Sequence, residues 1–206
     1  MLKVLGRDNS SNVQKVLWCL DELGLPFERE DVGGPFGRNR DPEYLALNPN
    51  GLVPTVVDEG RVLWESNTIL RYLAASYDTG ELWQADPARR AVGEKWMDWQ
   101  LSVLAPPMTP LFVQLIRTPD LERDATLVAK SSAKAASAFR ILDEALRDTP
   151  WLGGARFTIA DIPCGVLTYR WMNLPIERPD LPAVEDWYAR LANRHAYRRQ
   201  VMTGLS

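Results

Sequence analysis

The chain has 206 residues, 46% of them hydrophobic and 25% charged, with a formal net charge of −3. This is ample apolar material for a folded core in one large or two small domains. So mild an acidity leaves no electrostatic footprint for nucleic acid, and short basic pairs such as Arg89-Arg90 and Arg198-Arg199 read as solvated helix faces. No apolar run approaches the ~18 residues needed to cross a bilayer.

Lys3 to Gly6 reads as a short strand ending in a glycine turn, and Asp8-Asn9-Ser10-Ser11-Asn12 supplies several helix caps. Val13, Val16, Leu17, Leu20 and Leu23 then recur at helical spacing, and Gly24 and Pro26 stop that helix. Phe27 to Val32 reads as a second strand, Gly33 to Arg40 as a glycine-rich basic loop, and Asp41-Pro42 as the start of a short helix to about Leu47. Thr55-Val56-Val57 and Val62-Leu63-Trp64, joined by Asp58-Glu59-Gly60-Arg61, form a hairpin. Glu65-Ser66-Asn67 opens another helix with Ile69, Leu70, Leu73 and Tyr77 on its apolar side. The order is βαβ, α, ββα.

After Asp78-Thr79-Gly80-Glu81 no strand is expected. A helix runs from about Ala88 to Leu104, and Pro106, Pro107 and Pro110 are expected to kink or interrupt it. Thr118-Pro119 reads as cap and first helical position of a long helix carrying Val128, Ala135, Phe139, Leu142 and Leu146. Helices follow over about Ala160 to Trp171, Leu181 to Asn193 and Ala196 to Met202. The expected architecture is α+β: an α/β domain over residues 1–78, a linker over 79–86 and an all-helical domain over 87–206.

Three segments carry chemistry. In Asn48-Pro49-Asn50-Gly51-Leu52-Val53-Pro54, proline precedes a strand although it cannot donate to a ladder. A cis bond there would leave the Val53 backbone free to pair with an extended peptide; a trans proline at a strand start is the alternative. In Trp64-Glu65-Ser66-Asn67, Ser66 as N-cap would present a helix N-terminus to a carboxylate, with Glu65 placed to accept from an ammonium; an ordinary capped helix is the alternative. Thr158-Ile159-Ala160-Asp161 is a capping-box variant flanked by Phe157 and Ile162, and is read as structural.

These segments, in this order and separation, resemble the soluble glutathione S-transferase superfamily across nearly the whole chain. Arg7-Asp8-Asn9-Ser10-Ser11-Asn12 and the following Val13-Gln14-Lys15-Val16-Leu17-Trp18 look closest to bacterial members related to the theta and nu classes. The resemblance implies a thioredoxin-like first domain, glutathione as co-substrate, a homodimer, and a second domain that walls in a small electrophile. It implies that Val53 pairs with the cysteinyl unit after a cis Pro54, and that Glu65 and Ser66 hold the γ-glutamyl head. The thiol-activating group is implied to lie just after the first strand, where Ser10, Ser11 and Asn12 are the candidates. Alone they read as caps; with the resemblance Ser10 leads and Asn12 assists. Arg38 and Arg40, and also Arg7 and Arg117, are candidates for a substrate carboxylate. Met108, Leu111, Phe112 and Trp171 are candidate pocket walls, with core packing as the alternative.

No metal is expected: Cys19 and Cys164 lie in apolar helical stretches without a ligand partner at metal spacing. His195 is the only histidine, and no G-x-S-x-G motif accompanies it, which speaks against a serine hydrolase. Met1 to Arg7 is too short an apolar stretch for a secretory leader, so a cytoplasmic address is expected. A glutathione-dependent disulfide reductase and a non-catalytic binding protein on the same fold are the competing functional readings.

Overall fold

The computed structural model describes residues 1–206 and is α+β. Four short strands, β1 (Leu2–Leu5), β2 (Phe27–Glu30), β3 (Thr55–Asp58) and β4 (Arg61–Trp64), form one sheet in the order β2-β1-β3-β4. β1 runs parallel to β2 through a crossover helix, α1 (Ser11–Glu22), and antiparallel to β3. The hairpin pairs Val56 with Leu63 and Val57 with Val62. A short helix α2 (Pro42–Leu47) and the helix α3 (Ser66–Tyr77) complete this part. Val4 and Val56, paired across the central strands, are fully buried. Gly6 ends β1 at φ 157°, where a Cβ would stand 2.6 Å from a Val13 methyl, so only glycine lets α1 come this close to the strand end.

The rest is helical: α4 (Pro87–Trp99), α5 (Ala105–Phe112), α6 (Ala125–Leu146), α7 (Asp161–Asn173), α8 (Pro182–Ala192) and α9 (His195–Gln200). The α-helical pattern breaks just ahead of the prolines, where the sequence led us to expect a kink or an interruption. α4 passes into a π turn at Gln100–Leu104, continues as α5, and ends in a second π turn at Val113–Arg117. Ala105 N–H bonds to the Gln100 carbonyl five residues back. The register shift leaves Pro106 and Pro107 at the start of α5, where missing N–H groups cost little; Pro110 alone lies inside the helix. The long helix α6 is also capped differently. Asp124 accepts from Leu127 N–H at 2.9 Å, while Thr118 donates its hydroxyl to the Val113 carbonyl at 3.1 Å and Pro119 precedes a separate 3₁₀ turn. A carboxylate is the stronger cap for the positive helix end.

The apolar core runs without a break from the sheet into the helices. Trp18 of α1 joins the two parts. Its ring stacks on Phe157 at 5.5 Å and meets Tyr197 at 4.6 Å, and its Nε1 donates to Glu22, which pairs with Arg194 at 2.7 Å. Burying such a ring contributes on the order of a few kcal/mol. At the start of α7, Asp161 accepts from Leu152 N–H (2.9 Å), Thr158 N–H (3.0 Å) and Trp187 Nε1 (3.0 Å), and Thr158 Oγ1 accepts from Ala160 N–H. Both carboxylate oxygens are therefore occupied in tying α7 to α8 and to the preceding turn.

Candidate functional site

A cleft of about 410 Å³ opens where the N-terminus of α1, the loop after β2 and the Val53 segment face the second half of the long helix run. Ser10, Ser11, Asn12 and Val53 line it from one side and Phe112, Arg117 and Arg170 from the other. Ser10 occupies the N-cap position of α1, yet its hydroxyl caps nothing; only its carbonyl serves the helix, accepting from Gln14 N–H at 2.8 Å. The hydroxyl thus stands at the positive end of a 12-residue helix with no acid in its first turn, free to donate to an anion in the cleft. The Val53–Pro54 peptide is cis, and the Val53 amide and carbonyl make no main-chain hydrogen bond.

Ser66 is not the cap of α3. Glu65 holds that position at φ 69° without a side-chain cap bond, and Ser66 is the first helical residue. Its hydroxyl is used differently, donating to Asn12 Oδ1 at 3.2 Å and accepting from Lys15 Nζ at 3.4 Å. With its oxygen engaged by Ser66, Asn12 keeps its amide nitrogen free as a donor. Lys15 is fully enclosed. Its ammonium also reaches Asn67 Oδ1 (3.4 Å) and Gln100 Oε1 (2.7 Å), the latter delivered by the first π turn.

Burial pushes the Lys15 ammonium down to about 7 from an ordinary 10.5. A lysine with a lowered folded pKa binds fewer protons folded than unfolded. Its handicap to stability is fully present below about pH 7 and is relieved as the pH rises toward 10.5. The wild type is therefore expected to gain stability relative to Lys15→Met as the pH is raised from about 7 to about 10, read by urea unfolding. A difference that does not change with pH would show an unperturbed lysine.

Three cations share the cleft: Arg7, Arg117 and Arg170. Arg7 packs over Gly34. The guanidinium carbons of Arg170 and Arg117 lie 3.9 Å and 5.0 Å from the Phe112 ring centroid. Their only hydrogen bonds go to main-chain oxygens, Arg170 to Asn9 (3.0 Å) and Arg117 to Ser206 (2.8 Å). Burial, then the neighbouring Arg117 and Arg7 charges, push the Arg170 guanidinium down to about 10.

Other expected site residues fall elsewhere. Met108, Leu111 and Trp171 are core, not cleft wall; Trp171 stacks on Phe139 at 4.6 Å, because these positions face α6. Arg38 is drawn away by an ion pair with Glu30 and borders a different groove beside Tyr44. Arg40 is exposed and lies against Gly51, outside the cleft lining. Glu65 is exposed at the head of α3. Asp161 and Thr158 are buried in the helical part, away from the cleft. Sequence reasoning missed Asn39, which lines the cleft and donates to the Gly51 carbonyl at 2.8 Å, along with Lys15 and Arg170.

Two family models match the chain, the glutathione S-transferase N-terminal domain over residues 9–76 and the glutathione S-transferase C-terminal domain over residues 104–195. The chain belongs to the glutathione S-transferase family. It is 41% identical to glutathione S-transferase GstB of Escherichia coli (strain K12), with both chains covered in full. A theta class glutathione S-transferase from the citrus canker pathogen Xanthomonas axonopodis pv. citri, with glutathione bound, superposes with a TM-score of 0.97. That match has 48% identity and covers 100% of this chain and 99% of the other. A more distant relative is the disulfide-bond oxidoreductase YfcG of Escherichia coli (strain K12), 29% identical over 90% of this chain and 87% of its own. The four-stranded sheet followed by helices is thus the glutathione S-transferase fold.

Proposed function

We propose that this glutathione transferase stabilises the thiolate of bound glutathione with the Ser10 hydroxyl, assisted by the Asn12 amide and the α1 N-terminus, for attack on a small electrophile. The observation that carries the reading is the Ser10 hydroxyl, left unbonded at the mouth of an uncompensated helix terminus inside the cleft. The free Val53 backbone is suited to the cysteinyl unit. The N-terminus of α3, with Ser66 and Glu65, is suited to the γ-glutamyl carboxylate and ammonium. Asn39 and the nearby Arg40 are suited to the glycyl end.

A homodimer, a cytoplasmic address and a detoxifying role belong to the same proposal. The half-exposed Val62 and Trp64 on the outer strand β4, with Leu101 and Val103 on the first π turn, give apolar surface for a second copy. No helix is long and apolar enough to cross a membrane.

The relative YfcG makes disulfide exchange the second reading. Cys19 and Cys164 are both enclosed, and burial pushes both thiols up, away from thiolate. Any such exchange would therefore have to run on glutathione thiols.

The test is a pH titration of the ultraviolet thiolate absorbance of glutathione bound to the purified protein. A thiol pKa about one unit or more below that of free glutathione is expected. Binding with an unshifted thiol would favour the exchange reading, and an absence of binding would favour a non-catalytic role.

A further inference from the structure

The cleft wall opposite Ser10 is cationic, and no Asp or Glu side chain lines the cleft beside it. The lining residues include Arg7, Arg117 and Arg170 and not one Asp or Glu. The chain carries 27 acidic residues against 24 Lys and Arg, so a counter-charge was available to this wall and is not there. Arg170 is crowded by burial and by two like charges, which holds its guanidinium below its ordinary range. Arg117 is held down in the same way by burial and by Arg7. Like charges gathered without an Asp or Glu beside them in a partly desolvated wall are costly. Other half-buried arginines of this chain do have carboxylate partners: Arg29 with Asp31 and Asp8, Arg71 with Glu94 and Asp98, Arg194 with Glu22. The cleft is also poor in apolar lining, offering only Leu52, Val53, Phe112 and Val113. That composition gives an uncharged aromatic electrophile little to bind.

We propose that the second substrate is an electrophile carrying a carboxylate, held by Arg117 and Arg170 against the Phe112 ring with Arg7 closing the opposite side. The inference rests on the reading of this cleft as the site of a glutathione thiolate beside Ser10. There, the two glutathione carboxylates are directed to the α3 N-terminus and to the Asn39–Arg40 loop, leaving the arginine wall to the partner molecule. Two guanidinium forks fix a carboxylate in orientation as well as charge, so the carbon to be attacked faces the sulfur. In the step, the thiolate sulfur bonds to that carbon and a halide leaves with the bonding electron pair. The thiol proton passes to solvent, so that thiol plus organic halide gives thioether, halide ion and proton.

The experiment compares two electrophiles of the same reactive ring, a chlorodinitrobenzoate and its carboxamide, in wild type, Arg117→Gln, Arg7→Gln and Arg117→Lys. Uncatalysed rates are subtracted. The wild type is expected to favour the carboxylate in kcat/KM. The Gln variants are expected to lower the carboxylate-to-carboxamide ratio about tenfold, through the electrophile KM, with Lys recovering part of it. A ratio near unity in the wild type, or one unchanged in both Gln variants, overturns the proposal. So does a rise in glutathione KM that affects both electrophiles alike, which assigns the arginines to glutathione. Conjugation of the carboxamide alone sinks this inference and leaves the transferase standing, whereas no conjugation of either sinks the transferase reading as well.

Discussion

Replacing Ser10 by alanine is expected to slow conjugation at neutral pH at least about tenfold while leaving glutathione affinity within about threefold. A free thiol titrates near 8.5, so only a few per cent is thiolate at pH 7, and lowering that pKa by ~2 units takes roughly 2.7 kcal/mol of preferential anion stabilisation. One charge-assisted hydrogen bond supplies ~1.5–3 kcal/mol, and a helix N-terminus up to ~1 more. The Ser10 hydroxyl is the group placed to give the first share, and the unneutralised end of α1 gives the second. The variant keeps the α1 terminus, because the hydroxyl does not cap it and the Ser10 carbonyl that accepts from Gln14 is main chain. Loss of activity can therefore be read as loss of thiolate. The pH–rate profile should move to higher pH by about one to two units, so that the deficit narrows in alkaline buffer, where the thiol ionises unaided. Undiminished turnover by Ser10→Ala would move the role to Asn12 or Ser11. Ser11 also lines the cleft, and Asn12 has its amide nitrogen free.

The elements were legible where a local pattern is enough. The β3–β4 hairpin follows from two β-branched or apolar runs around an acidic glycine turn, and α1 from the spacing of Val13, Val16, Leu17 and Leu20. Legibility ended where a residue answers to partners far along the chain. Lys15 falls on what the spacing makes the polar side of α1, but α1 is buried all round from Val13 to Leu20, with α3, α7 and α9 packed against it. The lysine is enclosed at a junction of Ser66, Asn67 and Gln100 that exists only in the fold. Arg170 lies in a helix that reads as packing, and only the approach of α5 to α7 sets it against Phe112. The form of the break at the prolines was illegible for a different reason. A rule written for the i→i−4 ladder does not anticipate a π turn that shifts the register just ahead of them. Ser66 was placed at the head of α3 from its preference for caps, but Glu65 at a positive φ starts the helix and frees the hydroxyl for Asn12.

Asp161→Ala is expected to destabilise the fold by about 3–5 kcal/mol. Its carboxylate is fully enclosed and accepts three N–H donors, two from main chain and one from the Trp187 indole. Burial pushes this carboxyl up to about 6 against the pull of those donors, which leaves it charged at neutral pH. Removing it strands three buried donors at once, each at a cost of ~1–3 kcal/mol, in a domain whose whole stability is of the order of 5–15 kcal/mol. The melting temperature should fall by about 10 °C or more. Asp161→Asn should lose less, since its amide oxygen still accepts on one side while its NH₂ meets a donor on the other. The α7 start, the Trp151–Phe157 turn and α8 all depend on this carboxylate, and through Phe157 so does the packing of Trp18 between the two parts. The damage should therefore appear in the global urea transition and not as local fraying. Turnover per folded molecule should be nearly unchanged, because Asp161 lies outside the cleft. A variant that folds with wild-type stability but loses its conjugation rate would instead make Asp161 part of the chemistry.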